Sequence, residues 1–248
     1  DVYKRQEYDI PIVVLDRPNP NGHYVDGPLR EAPYKSFVGM HPVPVVYGMT
    51  IGEYARMING ENWLDIGKSC NLKVIPCRNY NHEMLYSLPI APSPNLPNLR
   101  SILLYPSLCF FEGTPISIGR GTNHQFQVIG HPDLPTSGFE FTPTPSYGAQ
   151  HPKLEGENCR GIDLTELDVE KLHQDSVLRL QYLIDAYHDF PDTASFFNKN
   201  LWFDKLAGTS TLREDILAGK TKTEIRASWE TDLQKFKSIR MQYLLYSP

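Results

Sequence analysis

Apolar residues in this chain come in short runs, separated by stretches where proline and glycine interrupt any regular pattern. IPIVVLD (10–16) is continuous, rich in β-branched residues and closed by a charge. That pattern predicts a buried parallel strand, whose carboxyl end is where open α/β sheets place ligands. RPNPNGHYVDGP (17–28), with three prolines and two glycines, predicts a long ordered loop. In GMTIGEYARMING (48–60) the apolar stripe Ile51, Tyr54, Ala55 and Ile58 has helical spacing. Thr50 and Glu53 form a capping box there, and Gly60 is the expected stop. LKVIPC (72–77) predicts the next strand. Strand, loop, helix and strand make a βαβ unit, so the first part reads as the trailing half of a doubly wound α/β domain.

LPIAPSPNLPNL (88–99), with four prolines, resets the pattern and predicts an interdomain crossing. Beyond it SILLYPSLCFFEG (101–113) predicts short helical turns broken at Pro106. HQFQVIG (124–130), GFEFTP (138–143) and RGIDLT (160–165) read as strands. The last third is helical: SVLRLQYLIDAYHDF, then TLREDILAG with a Thr211/Glu214 capping box and Gly219 as stop, then TEIRASWETDLQKFKSIRMQYLLY. The expected fold is α/β for residues 7–96 followed by a smaller α+β domain over residues 97–248. DVYKRQ (1–6) reads as a translated sequencing-adapter scar, and any signal peptide is expected upstream of it.

Charge and composition narrow the function classes. A net charge of −5 gives no positive field to draw nucleic acid or anionic lipid. No apolar run reaches the roughly 18 residues of a membrane helix. The wealth of Pro (21), Tyr (14) and Phe (11) suits a loop-rich surface with aromatic platforms, as in sugar binders. The eight histidines and four cysteines (Cys70, Cys77, Cys109, Cys159) show no metal-ligand spacing, so neither a metal nor a cofactor is expected. The cysteines fit either two disulfides or buried free thiols.

Two segments carry candidate chemistry. In DRPNPNG (16–22), prolines preorganise Asp16, Arg17, Asn19 and Asn21 for a ligand; the alternative is that Asp16 and Arg17 pair locally. EGTPISIGRGT (112–122) combines backbone freedom with hydroxyls at Thr114, Ser117 and Thr122, a guanidinium fork at Arg120, and Glu112 as acid, base or partner of Arg120. Its glycine spacing matches neither a P-loop nor a dinucleotide fingerprint. Tyr105 is a further candidate, or a core aromatic before Pro106.

VVLDRPNPNG, DGP, SFVGMHPVPVVYGMTIGEYA, PSPNLP, LYPSLCFFEGT and SIGRGT, in this order, resemble the NamZ-type exo-β-N-acetylmuramidase family, as does the tail from LAGTSTLRED onward. The resemblance spans Glu7 to Pro248. It implies a Rossmann-like domain and a smaller C-terminal domain around a cleft, an exported bacterial protein (periplasmic or secreted), and hydrolysis releasing N-acetylmuramic acid from the non-reducing ends of peptidoglycan fragments. The partners it implies are saccharides containing that sugar. It also implies that the main catalytic carboxylate, in a Glu-His-Gly motif, belongs upstream of Glu7, so the chain by itself is expected to be catalytically incomplete. Within this chain, Glu112 or Asp16 is then the second acidic group, with Tyr105 as a transition-state contact. Arg17 or Arg120 binds the lactyl carboxylate, and Asn19, Asn21, Ser117 and Thr122 are expected substrate contacts. The alternative is a glycan-binding protein without turnover.

Overall fold

The computed structural model describes residues 10–64, 69–135 and 138–247. In the first lobe β1 (Ile12–Leu15) pairs in parallel with β4 (Leu72–Ile75), Ile12 lying opposite Leu72 and Leu15 opposite Ile75. Between them in sequence come β2 (Asp26–Leu29), β3 (Pro44–Val46), which pairs antiparallel with β2, and helix α1 (Ile51–Gly60). α1 packs against the β1–β4 pair at Gly52, where a Cβ would stand 2.5 Å from a methyl of Val74. That explains one departure from the sequence reading. Expected to be buried throughout, β1 alternates instead, with Val13 and Leu15 exposed, because the described sheet is covered on the face that meets α1.

The capping box forms as read: Thr50 Oγ1 accepts the Glu53 N–H and Glu53 Oε2 accepts the Thr50 N–H. Gly60 plays a different part from a left-handed stop. The positive φ falls at Asn62, and a Cβ on Gly60 would stand 2.4 Å from the Tyr243 ring, so glycine is required there by packing.

In the second lobe α2 (Leu99–Leu108) runs through Pro106 and then tightens into a 3₁₀ turn over Cys109–Gly113. Pro106 sits in the last turn of the helix, where the single backbone bond it removes does not end the element. β5 (Val128–His131), β6 (Phe139–Phe141) and β7 (Cys159–Asp163) form an antiparallel sheet with β7 central. Pairing begins at Val128 rather than His124, because Phe126 takes a φ of 54° and Gln127 closes a turn onto His124. Helices α3 (Val169–Asp175), α4 (Leu180–Asp189), α5 (Trp202–Ala207), α6 (Thr211–Leu217) and α7 (Lys222–Arg240) complete the lobe. Thr211 is the first helical residue of α6, not its cap: the Thr209 hydroxyl accepts the Thr211 N–H. The main core is aromatic, with Phe110, Phe111, Phe126, Phe196 and Phe203 fully buried, and the first lobe contributes Val46 to it. No disulfide joins the four cysteines, so the buried-thiol alternative holds.

After α7 the chain returns to the first lobe and locks the two together. Arg240 donates to the Gly48 carbonyl, and Arg56 donates to the carbonyls of Tyr243 and Leu244. Leu245 N–H donates to Glu53 at 2.8 Å, and His82 Nε2 lies 3.0 Å from the same carboxylate. Burial pushes the Glu53 carboxyl up, but the hydrogen bonds from His82, Leu245 and Thr50 outweigh it and hold the group below its usual range.

Candidate functional site

A cleft of about 630 Å³ opens between the lobes. From the first lobe Asn19, Asn21, Tyr47 and Tyr54 line it; from the second come Tyr105, Glu112, Arg120 and Trp202. Two rigid turns deliver Asn19, Asn21 and Arg120. In the first, Asn19 donates to the Met49 carbonyl and accepts the Asn21 N–H, while Asn21 donates to Ile102 across the lobe boundary. In the second, Gly119 and Gly121 flank Arg120 with φ of 79° and 81°. A Cβ on Gly121 would stand 2.5 Å from the Thr144 carbonyl, so only glycine lets the chain turn here and present Arg120 to the cleft.

Arg120 Nη2 donates to Glu112 Oε1 at 2.5 Å, and its guanidinium lies over the Phe126 ring at 5.2 Å. Both charged side chains stay partly open, 36% for Arg120 and 27% for Glu112. Burial, reinforced by Cys109 and Glu112, pushes the Tyr105 phenol up to about 12, so it is a hydrogen-bond donor at neutral pH. Beneath the turn, Lys153 donates to the carbonyls of Phe111, Thr114 and Ile116 at 3.0, 2.5 and 3.0 Å. Burial pushes its ammonium down to about 8, with Glu112 opposing. Three carbonyls around one cation fix the strip of backbone that carries Glu112.

The other predicted residues lie elsewhere. Asp16 accepts from Thr50 Oγ1, Tyr246 OH and the Gly52 N–H, so its oxygens are committed to the start of α1 and to the chain's tail. Arg17 is exposed and is not among the described residues lining the cleft, although its charge bears on Tyr47, which is. The Ser117 hydroxyl is buried and accepts the Gly119 N–H. Thr122 donates to the Gly119 carbonyl and accepts the His124 N–H. Both hydroxyls hold the turn that displays Arg120. Sequence reasoning missed the aromatic wall. Tyr47 and Tyr54 stack at 4.9 Å, and the Tyr54 hydroxyl lies 2.7 Å from His41 Nδ1. Its signal was present in HPVPVVYG and at Tyr54, but Tyr54 fits the apolar stripe of α1 equally well. Among the described residues no group of three or more His, Cys, Asp or Glu side chains could hold a metal ion, and no helix is long and apolar enough to cross a membrane.

Fold and site together define a two-lobed mixed α/β protein with an aromatic, polar cleft between its lobes. The chain belongs to the NamZ family: residues 2–100 match the family profile described as exo-β-N-acetylmuramidase NamZ, N-terminal, and residues 103–246 match its C-terminal counterpart. It is 36% identical to the peptidoglycan β-N-acetylmuramidase NamZ of Bacillus subtilis (strain 168), over 97% of this chain and 61% of that protein. Two crystal structures of DUF1343 family proteins from Bacteroides fragilis NCTC 9343 share its fold. One superimposes with a TM-score of 0.95 at 49% identity, the other with 0.81 at 25%, each covering 99% of this chain and 69% of its own.

Proposed function

We propose that the cleft holds an N-acetylmuramic acid residue at the non-reducing end of a peptidoglycan fragment and serves hydrolysis of the bond beyond it, releasing the free sugar. The Glu112–Arg120 pair in the cleft wall carries this reading. N-acetylmuramic acid bears a lactyl carboxylate beside its ring, and a guanidinium fork matches a carboxylate bidentately. Glu112 engages Nη2 of Arg120, and the guanidinium keeps enough exposed surface to meet a second carboxylate. In this reading Glu112 is the acidic group near the oxocarbenium-like centre, and Tyr105 donates from the same wall. Asn19 and Asn21 form the facing contact. Arg120 rather than Arg17, and Glu112 rather than Asp16, take the roles left open by the sequence.

The curated relative's name supports a muramidase, as do the two family profiles. The parallel β1–β4 pair with α1 between supports a Rossmann-like first lobe, divided from the second near residue 96. A cell-wall substrate supports action in the periplasm or outside the cell.

One observation favours the second reading, a glycan binder without turnover. Glu112 is the single carboxylate among the described residues lining the cleft, whereas glycoside hydrolysis ordinarily uses two. Incubating the protein, extended by any sequence that precedes residue 1, with a chromogenic N-acetylmuraminide separates the readings. Release of the chromophore supports the hydrolase, and saturable binding without release supports the binder. Neither release nor binding contradicts both.

A further inference from the structure

Part of the cleft wall is apolar, and its apolar groups are held in water rather than buried. Phe37, Val38 and Met40 line the cleft at the tip of the loop between β2 and β3, yet are 97%, 50% and 40% exposed. Burying such a side chain stabilises a protein, and here that gain is forgone. The loop is braced. Arg30 donates to the carbonyls of Glu31, Met40 and His41 at 3.1, 3.0 and 3.2 Å. Ser36 and Gly39 exchange backbone hydrogen bonds at 3.1 and 3.2 Å, and Gly39 lies close to the backbone of Lys205, which also lines the cleft. An exposed phenyl ring on a fixed turn is a preorganised contact for a ligand with an apolar face.

We propose that Phe37, flanked by Val38 and Met40, is the platform for the second sugar ring of the ligand, the N-acetylglucosamine joined to the N-acetylmuramic acid. This rests on the reading given above, that the cleft takes a peptidoglycan saccharide. The C–H face of a pyranose is apolar and lies flat on an aromatic ring, while its hydroxyls stay in water. The cleft volume of about 630 Å³ exceeds what one N-acetylated hexose fills, leaving room for a neighbouring ring in the same cleft. Phe37 thus favours a glycan terminus over the free monosaccharide.

The test titrates the 248-residue chain with methyl β-N-acetylmuraminide and with a thio-linked N-acetylmuramic acid–N-acetylglucosamine disaccharide, which resists hydrolysis. The wild-type chain is expected to bind the disaccharide about tenfold more tightly than the monosaccharide, as one aromatic contact allows. Phe37→Ala erases that gain and leaves monosaccharide binding unchanged, and Phe37→Trp preserves it. The side chain is almost wholly exposed, so neither change disturbs the core. A disaccharide gain that survives in Phe37→Ala overturns the proposal, as does a wild-type chain that binds the monosaccharide without any gain. A self-associating chain that Phe37→Ala turns monomeric, seen by sedimentation, assigns the ring to a second copy and also overturns it. If the wild-type chain binds neither saccharide, the reading of the cleft falls, and this inference with it.

Discussion

The hydroxyl of Tyr246 donates to the carboxylate of Asp16 at 2.6 Å, joining residues 230 positions apart. The same carboxylate receives Thr50 Oγ1 and the Gly52 N–H at the start of α1, so the end of the chain helps hold that helix in place. Tyr246 also accepts the Cys77 N–H. Removing its hydroxyl leaves Asp16 short of one donor and Cys77 of its acceptor. We expect Tyr246→Phe to lower stability by about 1–2 kcal/mol, with the denaturant slope unchanged. Urea unfolding checks this, and an unchanged midpoint would show that the tail contributes nothing there.

Lys153 offers a second test, at the support of the cleft wall. Its ammonium satisfies three buried carbonyls in the strip carrying Glu112. Lys153→Met takes the donor from the Thr114 and Ile116 carbonyls, while Phe111 keeps its bonds from Thr114, and the expected cost is about 2–4 kcal/mol. Amide exchange should quicken at Ile116 and Gly119 more than in α7. Uniform loss of protection would place the effect in the whole fold instead.

Acid should weaken the fold through the close pair His23 and His173, whose rings lie 3.8 Å apart and tilted by 33°. Burial, then the charge of His173, pushes His23 down from 6.5 to about 4. Burial also lowers His173, opposed by Glu83. Above pH 6.5 both states are neutral at His23 and stability is unaffected by it. Between 6.5 and about 4 the unfolded chain takes up a proton that the native ring refuses, so stability falls as pH falls. In His23→Phe the difference in unfolding midpoint between about pH 7 and about pH 5 should shrink. An unaltered difference would assign the acid sensitivity elsewhere.

Local chemistry made part of this fold legible. The Thr50/Glu53 box lies within one turn and formed as read, and the two strands around α1 follow from their apolar runs. What escaped depends on partners distant in sequence. Nothing near Glu53 shows that it will be fully buried against His82 and Leu245, or near Gly60 that a tyrosine ring will need its space. The site divides the same way. Glycines around Arg120 correctly signalled a constrained turn, and Glu112 as partner of Arg120 was one of the alternatives posed. Hydroxyls, however, serve ligand or backbone equally well on paper. Ser117 and Thr122 turned to the backbone, and Asp16 to α1 and the tail.

The central claim is that Arg120 selects a sugar bearing a carboxylate, and paired titrations test it most directly. Methyl β-N-acetylmuraminide and methyl β-N-acetylglucosaminide differ in the lactyl group alone. The wild-type chain should prefer the first by about 10–100-fold, the worth of a charged hydrogen-bonded contact, and Arg120→Ala should bind both alike. A preference that persists undiminished in Arg120→Ala would contradict the account.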